Sequence, residues 1–379
     1  MKKLLKDKEY QKVMAVFITL KIIIIAIGAL AIFPQSQTWR AEITGNRVID
    51  SFLQYDSLAY LDIAENGYNS NYHNGIGNYG FYPLFPFLIR MFSFIGYGLS
   101  AFLISNILSF IAVTLLYILF REESKKAIMY FLLFPTAYFL TAAYTESLFI
   151  TLTIGVFLAA KREKWFYVGI LGFLAAMTRI QGVFLIIPVL YMYYKKHLSK
   201  ISISNLIKAA KSTKLNVLFL LMIPAGFAVF MLYLYSVTGD ITIHFKNHLM
   251  YGRYFSMPWV GIINALAMLP SGLFSFIYNG FNLFILIFFA ILLWFCWKFY
   301  RIHEYTIYFL ISFLIPLFTP TLQAFSRFML PVFPAFIVMT KLSEKYDYAL
   351  KIIYILFTIA LFAFTVWHVN GGFKIPGFN

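Results

Sequence analysis

Apolar residues run almost unbroken over 13–33, 100–120, 127–143, 146–160, 165–179, 182–195, 215–236, 280–298, 304–319, 327–341 and 351–369, with polar, basic or turn-forming links between. Both parities are apolar within each run. This excludes the alternating segments of a transmembrane barrel and predicts helices, which satisfy their own backbone in lipid. The expected fold is an all-α polytopic transmembrane helical bundle of about eleven spans, within a range of about nine to thirteen. Spans between 127 and 195 that are about 15 residues long reach only about 22 Å, so they are expected to line a thinned or water-filled cavity.

Two further apolar stretches, 83–97 and 259–278, disturb the topology. Either the first is re-entrant or interfacial, helped by Pro83, Pro86 and Gly96, or the weak REESKK cluster at 121–126 faces outward. The second reads as surface-lying. The N-terminal run is long and no small-residue cleavage site follows it, so it reads as a retained first helix. With no internal repeat or low-complexity tract, residues 1–379 read as a single integral membrane domain.

Composition strengthens this picture. Of 379 residues, 61% are hydrophobic and only 12% charged, more apolar surface than a soluble core could bury. The net charge of +16 lies mostly in clusters abutting the apolar runs: the first twelve residues, 121–126, 161–164, 195–214, 298–301 and 341–351. That is the pattern of basic cytoplasmic loops, and it removes nucleic acid as a partner. It leaves 35–82 and 237–279 as outer loops, with short turns near 144 and 180, 320–326 and the last ten residues. The lone Cys296 excludes an intramolecular disulfide and a cysteine metal site. Nine cations lie outside the clusters: Lys21, Arg40, Arg47, Arg90, Arg179, Lys246, Arg253, Arg327 and Lys374. Lys21 and Lys374 are explained by snorkelling or solvation; the others need a partner or a ligand.

Five segments carry candidate chemistry. In QYDSLAYLDIAENGY (54–68), a helix would put Asp56 and Tyr60 on one face and pair Asp62 with Glu65. A carboxylate beside Tyr55, Tyr60 and Tyr82 suits general-base work on a sugar hydroxyl; the competing reading is a helix N-cap. The following NGYNSNYHNGIGNYG suits a polyhydroxylated ligand or a solvated linker. In AYTESLF, Tyr144 and Glu146 sit at a junction of spans, where a carboxylate either binds or caps. In TRIQG, Arg179 and Gln181 lie at an outer turn, where a guanidinium grips a phosphate or anchors a helix end. Arg327 opens the FSRFMLPVFP segment, with phosphate as its natural partner. The outer loop 238–259 holds Asp240, His244, Lys246, His248 and Arg253. His244 and His248 are spaced for a metal, but no adjacent carboxylate completes a ligand set, so sugar or solvent contact is expected and no metal site is assigned. No glycine-rich nucleotide cradle or Walker lysine is present.

Taken in order, YDSLAYLDIAENGY, FYPLFPFLIR, AYTESLF, TRIQG, the GD and GRYFSMPW pieces and SRFMLPVFP resemble the PIG-V-like mannosyltransferases, over about residues 50–340. The resemblance implies a GT-C membrane glycosyltransferase. It implies inverting transfer of mannose from a polyprenyl-phosphate sugar co-substrate to a lipid-linked or surface acceptor, on the non-cytoplasmic face. Because phosphate is a good leaving group and cations can stabilise its charge, no cofactor is required, although a divalent ion could replace one arginine in that role. Asp56 matches the outer-loop acid such enzymes use as base. Gln54 and Tyr55 stand where the family often has a basic residue and Trp or Phe. From the residues themselves, Arg179, Arg327 and Arg253 are assigned to the donor phosphate, and Tyr55, Tyr60, Asp62, Tyr82, Tyr144, Glu146, Gln181, Asp240 and His248 to sugar or acceptor contacts. Composition fits a bacterial plasma membrane. A transporter or lipid flippase is the alternative, and it predicts repeated halves that the sequence does not display.

Overall fold

The computed structural model describes residues 2–32, 43–120, 124–195 and 214–370. Arg40 and the start of the first outer loop, the beginning of REESKK, the lysine-rich link 196–213, and Lys374 with the rest of the C-terminal segment lie outside the described residues. Among those described, every regular element is a helix. Five helices are long and apolar enough to cross a membrane: the N-terminal helix Lys8–Ile32, Tyr97–Phe120, Leu215–Thr238, Leu273–Tyr300 and Asp347–Val369. The chain is an integral membrane protein.

Eleven full spans are not confirmed by helix length, and proline and glycine explain where expectation and structure part. The run 127–143 divides into Ser124–Leu132 and Ala137–Leu140, because Pro135 lacks an N–H and turns its predecessor away from helical dihedrals. Pro331 likewise divides 327–341 into Phe325–Met329 and Phe333–Ser343. The run 182–195 divides into Ile180–Val183 and Ile186–Tyr194. The segment 259–278 is not one surface element. Helix Pro258–Ala267 ends near Gly272, whose φ of +125° suits glycine, and Leu273 then opens a helix of 28 residues. The stretch 83–97 holds only Leu84–Met91 and one turn at Ser93–Ile95. Eight residues of helix rise about 12 Å, too short to cross.

The chain divides into two compact units built from interleaved segments. One comprises Met1–Asn78, Phe85–Leu148 and Phe336–Asn379; the other comprises Tyr79–Leu84 and Phe149–Ala335. In the first unit, Lys21 departs from the snorkelling expectation. Its ammonium donates to Asn106 Oδ1 at 2.6 Å and to the Leu140 carbonyl, over the Phe17 ring. In the second, helices Trp165–Ala176 and Met222–Thr238 pack closely. A Cβ on Gly226 would lie 2.2 Å from the Phe173 carbonyl oxygen, so only glycine allows that approach.

Candidate functional site

The first unit holds the acidic group of site residues. Helix Asp56–Asn66 begins at Asp56 itself, so Asp56 is its first residue and Tyr55 stands in the cap position, with no side-chain cap bond. The cap position expected for Asp56 under the alternative reading is thus held by Tyr55. Tyr55 adopts φ 56° and ψ −118°, a conformation that side chains avoid at a cost of roughly 1–3 kcal/mol. The half-buried Asp56 carboxylate sits in the first turn, where the helix dipole favours negative charge.

The AYTES segment fastens this turn. Tyr144, 2% exposed, donates its hydroxyl to the Gln54 carbonyl at 2.9 Å. Ser57 donates to the Ala143 carbonyl at 3.0 Å, and the Ala143 N–H donates to the Phe52 carbonyl at 3.1 Å. Behind them, Ser105 donates to the Tyr144 carbonyl and Asn106 to the Thr141 carbonyl. Two chain segments almost 90 residues apart are thus stitched on both sides of Asp56. Glu146 is fully buried as the first residue of helix Glu146–Lys161.

Tyr60 shares the Asp56 helix but is buried, edge-on to Phe85 at 5.3 Å. Asp62 closes the asparagine-rich loop: its oxygens accept from Asn66 at 2.9 Å, Asn69 at 3.0 Å and Asn78 at 2.6 Å. The Asn69 N–H in turn donates to Asn78 Oδ1. The side chains expected to meet a polyhydroxylated ligand here spend these hydrogen bonds on one another.

The second unit holds the basic group. Arg179 precedes helix Ile180–Val183, is 6% exposed, and has its guanidinium 5.8 Å from the Phe149 ring centre and 5.9 Å from that of Phe328. Arg253 approaches Phe328 too, at 6.0 Å. Arg253 and Arg327 both act electrostatically on Tyr278, and Arg179 acts on Tyr308. Arg179 and Arg253 therefore both approach the ring of Phe328, the chain neighbour of Arg327, and Arg253 and Arg327 both lie near enough to Tyr278 to act on it. Gathering like charges costs energy unless anions offset it.

The Arg327 turn is built on the long helix Leu273–Tyr300. Ala324 takes φ 61°, its N–H donates to the Tyr278 hydroxyl at 2.9 Å, and the Ser326 N–H donates to Asn282 Oδ1 at 3.0 Å. Tyr278 and Asn282 are four residues apart and share a helix face. At TRIQG, a Cβ on Gly182 would meet the Ala175 carbonyl oxygen at 2.2 Å, so this turn also needs glycine. Gln181 is buried beside it.

Residues 79–84 belong to this second unit. The Tyr79 carbonyl meets His244 Nδ1 at 3.0 Å, the Gly80 N–H donates to Asn247 Oδ1 at 2.6 Å, and Tyr82 packs 5.3 Å from Phe230 and 5.2 Å from His244. Burial pushes the Tyr82 phenol well above its ordinary range, so its hydroxyl stays a donor. His244 and His248 lie edge-on at 4.7 Å. Burial pulls His244 down to about 4; burial, with charge from His244 and Arg253, pulls His248 down to about 3. Asp240 accepts from Lys246 Nζ at 2.7 Å and from Thr242 Oγ1 at 2.6 Å, and that Lys246 bond leads in lowering it to about 2. It thus braces its own loop.

Sequence reasoning missed Tyr278, Asn282, Phe328, Asn247 and His368. Polar Asn279 and Asn282 within an apolar run, and a lone histidine in the C-terminal apolar helix, were the available signals. Nothing local marks Phe328, since one ring among 44 phenylalanines carries no pattern.

A family model described as mannosyltransferase (PIG-V) matches residues 12–239. This interval contains Asp56, Tyr144, Glu146, Arg179 and Gln181; Asp240, His248, Arg253 and Arg327 lie beyond it. No curated protein matches the chain at a significant level. Among solved structures, the chain is similar to the Archaeoglobus fulgidus oligosaccharyltransferase tethered to an acceptor peptide containing the NVT sequon. The identity is 14% and the TM-score 0.43, over 94% of this chain and 55% of that one, so the chain spans about half of that enzyme's length.

Proposed function

This chain belongs to the mannosyltransferase (PIG-V) family, and we propose that it is a glycosyltransferase moving a mannosyl residue from a polyprenyl-phosphate donor to a lipid-linked or cell-surface acceptor. Asp56 takes the proton of the acceptor hydroxyl as that oxygen bonds to the anomeric carbon from the face opposite the phosphate. The bond from the anomeric carbon to the phosphate oxygen breaks, its electron pair leaves with the lipid phosphate, and the configuration inverts. The guanidinium groups of Arg179, Arg253 and Arg327 receive that phosphate, whose developing charge they stabilise. No divalent ion is required, since fixed cations serve the same electrostatic purpose. The GT-C architecture, a site on the outer face and a bacterial plasma membrane belong to the same proposal.

The observation that carries the reading is the Asp56 turn. A strained non-glycine residue sets a carboxylate at the head of a helix, and buried hydrogen bonds from Tyr144 and Ser57 hold it there. Backbone strain of this kind persists where geometry is over-determined, and it clusters at functional sites. The three-arginine cluster supports the donor half independently.

Membranes containing the protein, incubated with radiolabelled polyprenyl-phosphate mannose, are expected to move label into an acceptor fraction. Label moving from a soluble nucleotide sugar and not from the lipid phosphate would contradict the donor assignment.

A further inference from the structure

The last turn of helix Asp347–Val369 brings a buried histidine to the Asp56 turn. The His368 ring, 1% exposed, lies 5.5 Å from Tyr55, 5.1 Å from Tyr138, 5.6 Å from Phe139 and 5.8 Å from Tyr144, centre to centre. Tyr138 and Phe139 are 4.3 Å apart and Phe139 and Tyr144 4.7 Å apart. At such spacings the rings fill the space among themselves, so this is packing and not a ligand cage. The neighbouring Val369 is seated too: a Cβ on Gly28 would fall 3.4 Å from Val369 Cγ1 and 2.9 Å from the Phe52 ring.

This cluster grips the two residues before Asp56. Tyr144 holds the Gln54 carbonyl, and His368 packs against the ring of Tyr55, the residue at positive φ. A tyrosine at φ 56° relaxes to ordinary dihedrals once its ring loses its seat, and the Tyr55–Asp56 peptide turns with it.

We propose that His368 is a positioning residue, an aromatic wedge that keeps Tyr55 in its strained conformation and thereby aims the Asp56 carboxylate. The inference rests on Asp56 being the base. His368 lies outside the residues that match the family, and it does not touch the reacting atoms.

The test compares wild type, His368→Ala, His368→Phe, His368→Leu and Asp56→Asn in membranes given radiolabelled polyprenyl-phosphate mannose. Misplacing a catalytic group by about 1 Å costs up to about 10²-fold, so His368→Ala is expected to lower the maximal rate about tenfold or more with donor KM held within about twofold. His368→Phe, which keeps the ring, is expected to stay within about threefold of wild type. The proposal is overturned by an unchanged rate in His368→Ala beside an inactive Asp56→Asn, by His368→Phe falling as far as His368→Ala, or by a donor KM that rises in step with the rate loss. Should His368→Ala not be recovered folded, the ring decides: His368→Phe active and His368→Leu impaired supports the wedge, and equal rates overturn it. A fully active Asp56→Asn removes the parent reading, and this inference with it.

Discussion

The turn that carries Asp56 and the turn that carries Arg327 both begin their helices from a non-glycine residue at positive φ, Tyr55 at 56° and Ala324 at 61°, and both are tied to a tyrosine hydroxyl. They differ in where the energy is placed. Ala324, with ψ 17°, occupies the ordinary left-handed basin, which costs about 1–2 kcal/mol. Tyr55, with ψ −118°, lies outside it, and buried bonds from Tyr144 and Ser57 hold its turn. The acidic turn thus sets a single carboxylate behind one strained residue, whereas the basic region spreads its charge over Arg179, Arg253 and Arg327. One carboxylate aimed by strain suits proton transfer, which depends on angle and distance; three guanidinium groups suit a phosphate, which has several oxygens to share.

Substitutions can break this contrast. Asp56→Asn is expected to lower the transfer rate by about 10²–10⁴, the contribution typical of a general base, as read from initial rates at saturating donor. A loss below about tenfold would place the base elsewhere. Arg179→Ala is expected to weaken donor use by about 10–100-fold, following the roughly 1.5–3 kcal/mol of a hydrogen bond to a charged group. Residual turnover should persist through Arg253 and Arg327, and Arg179→Lys should not restore affinity, because an ammonium offers no planar fork. Donor KM is the measurement.

Gly182→Ala sets a methyl 2.2 Å from the Ala175 carbonyl oxygen. It should destabilise the protein by about 1–3 kcal/mol, the usual cost of overpacking, with a parallel rise in donor KM. Thermal unfolding in detergent measures the first effect.

Acid should separate the two regions as well. His244 and His248 are held near 4 and 3 in the folded protein, below the ordinary 6.5. The unfolded chain therefore takes up protons first. Stability is complete above about pH 6.5 and is lost as pH falls towards the folded values, by up to about 1.4 kcal/mol per histidine per pH unit. Midpoints measured from pH 7 to pH 4 should fall, and His248→Asn should flatten the slope. The smallest effect is expected from Tyr55→Gly, which relieves the positive φ but loses the ring's packing and gains chain entropy, so stability should change by no more than about 1 kcal/mol while turnover falls. Full activity in this variant would show that the strain serves no catalytic purpose.

Much of this was legible in the chain. Apolar runs at both parities announced helices in lipid, and Asp56, Arg179, Arg253 and Arg327 stood out because a charge away from the basic cytoplasmic clusters needs a reason. The interruptions were legible only in part. Pro135 and Pro331 were plain to see, yet hydropathy averages across them and reports one span where the backbone makes two short helices. The partition of the first outer loop was hidden, because the bonds that assign Tyr79 and Gly80 to His244 and Asn247 join residues more than 160 positions apart. Positive φ at Tyr55 and Ala324 was hidden for another reason: neither residue type favours it, so only the surrounding contacts explain it. Asp62 and Asp240 are charges in outer loops, and both brace the loops that carry them.

In the proposed reaction the acidic turn performs chemistry and the basic cluster holds the donor. Equilibrium binding of labelled polyprenyl-phosphate mannose, measured beside single-turnover transfer for Asp56→Asn and Arg327→Ala, tests it most directly. Asp56→Asn is expected to bind the donor as wild type does and to transfer about 10²–10⁴-fold more slowly, while Arg327→Ala binds weakly and still transfers at saturation. The reverse pattern, with donor binding lost at position 56 and kept at position 327, would contradict it.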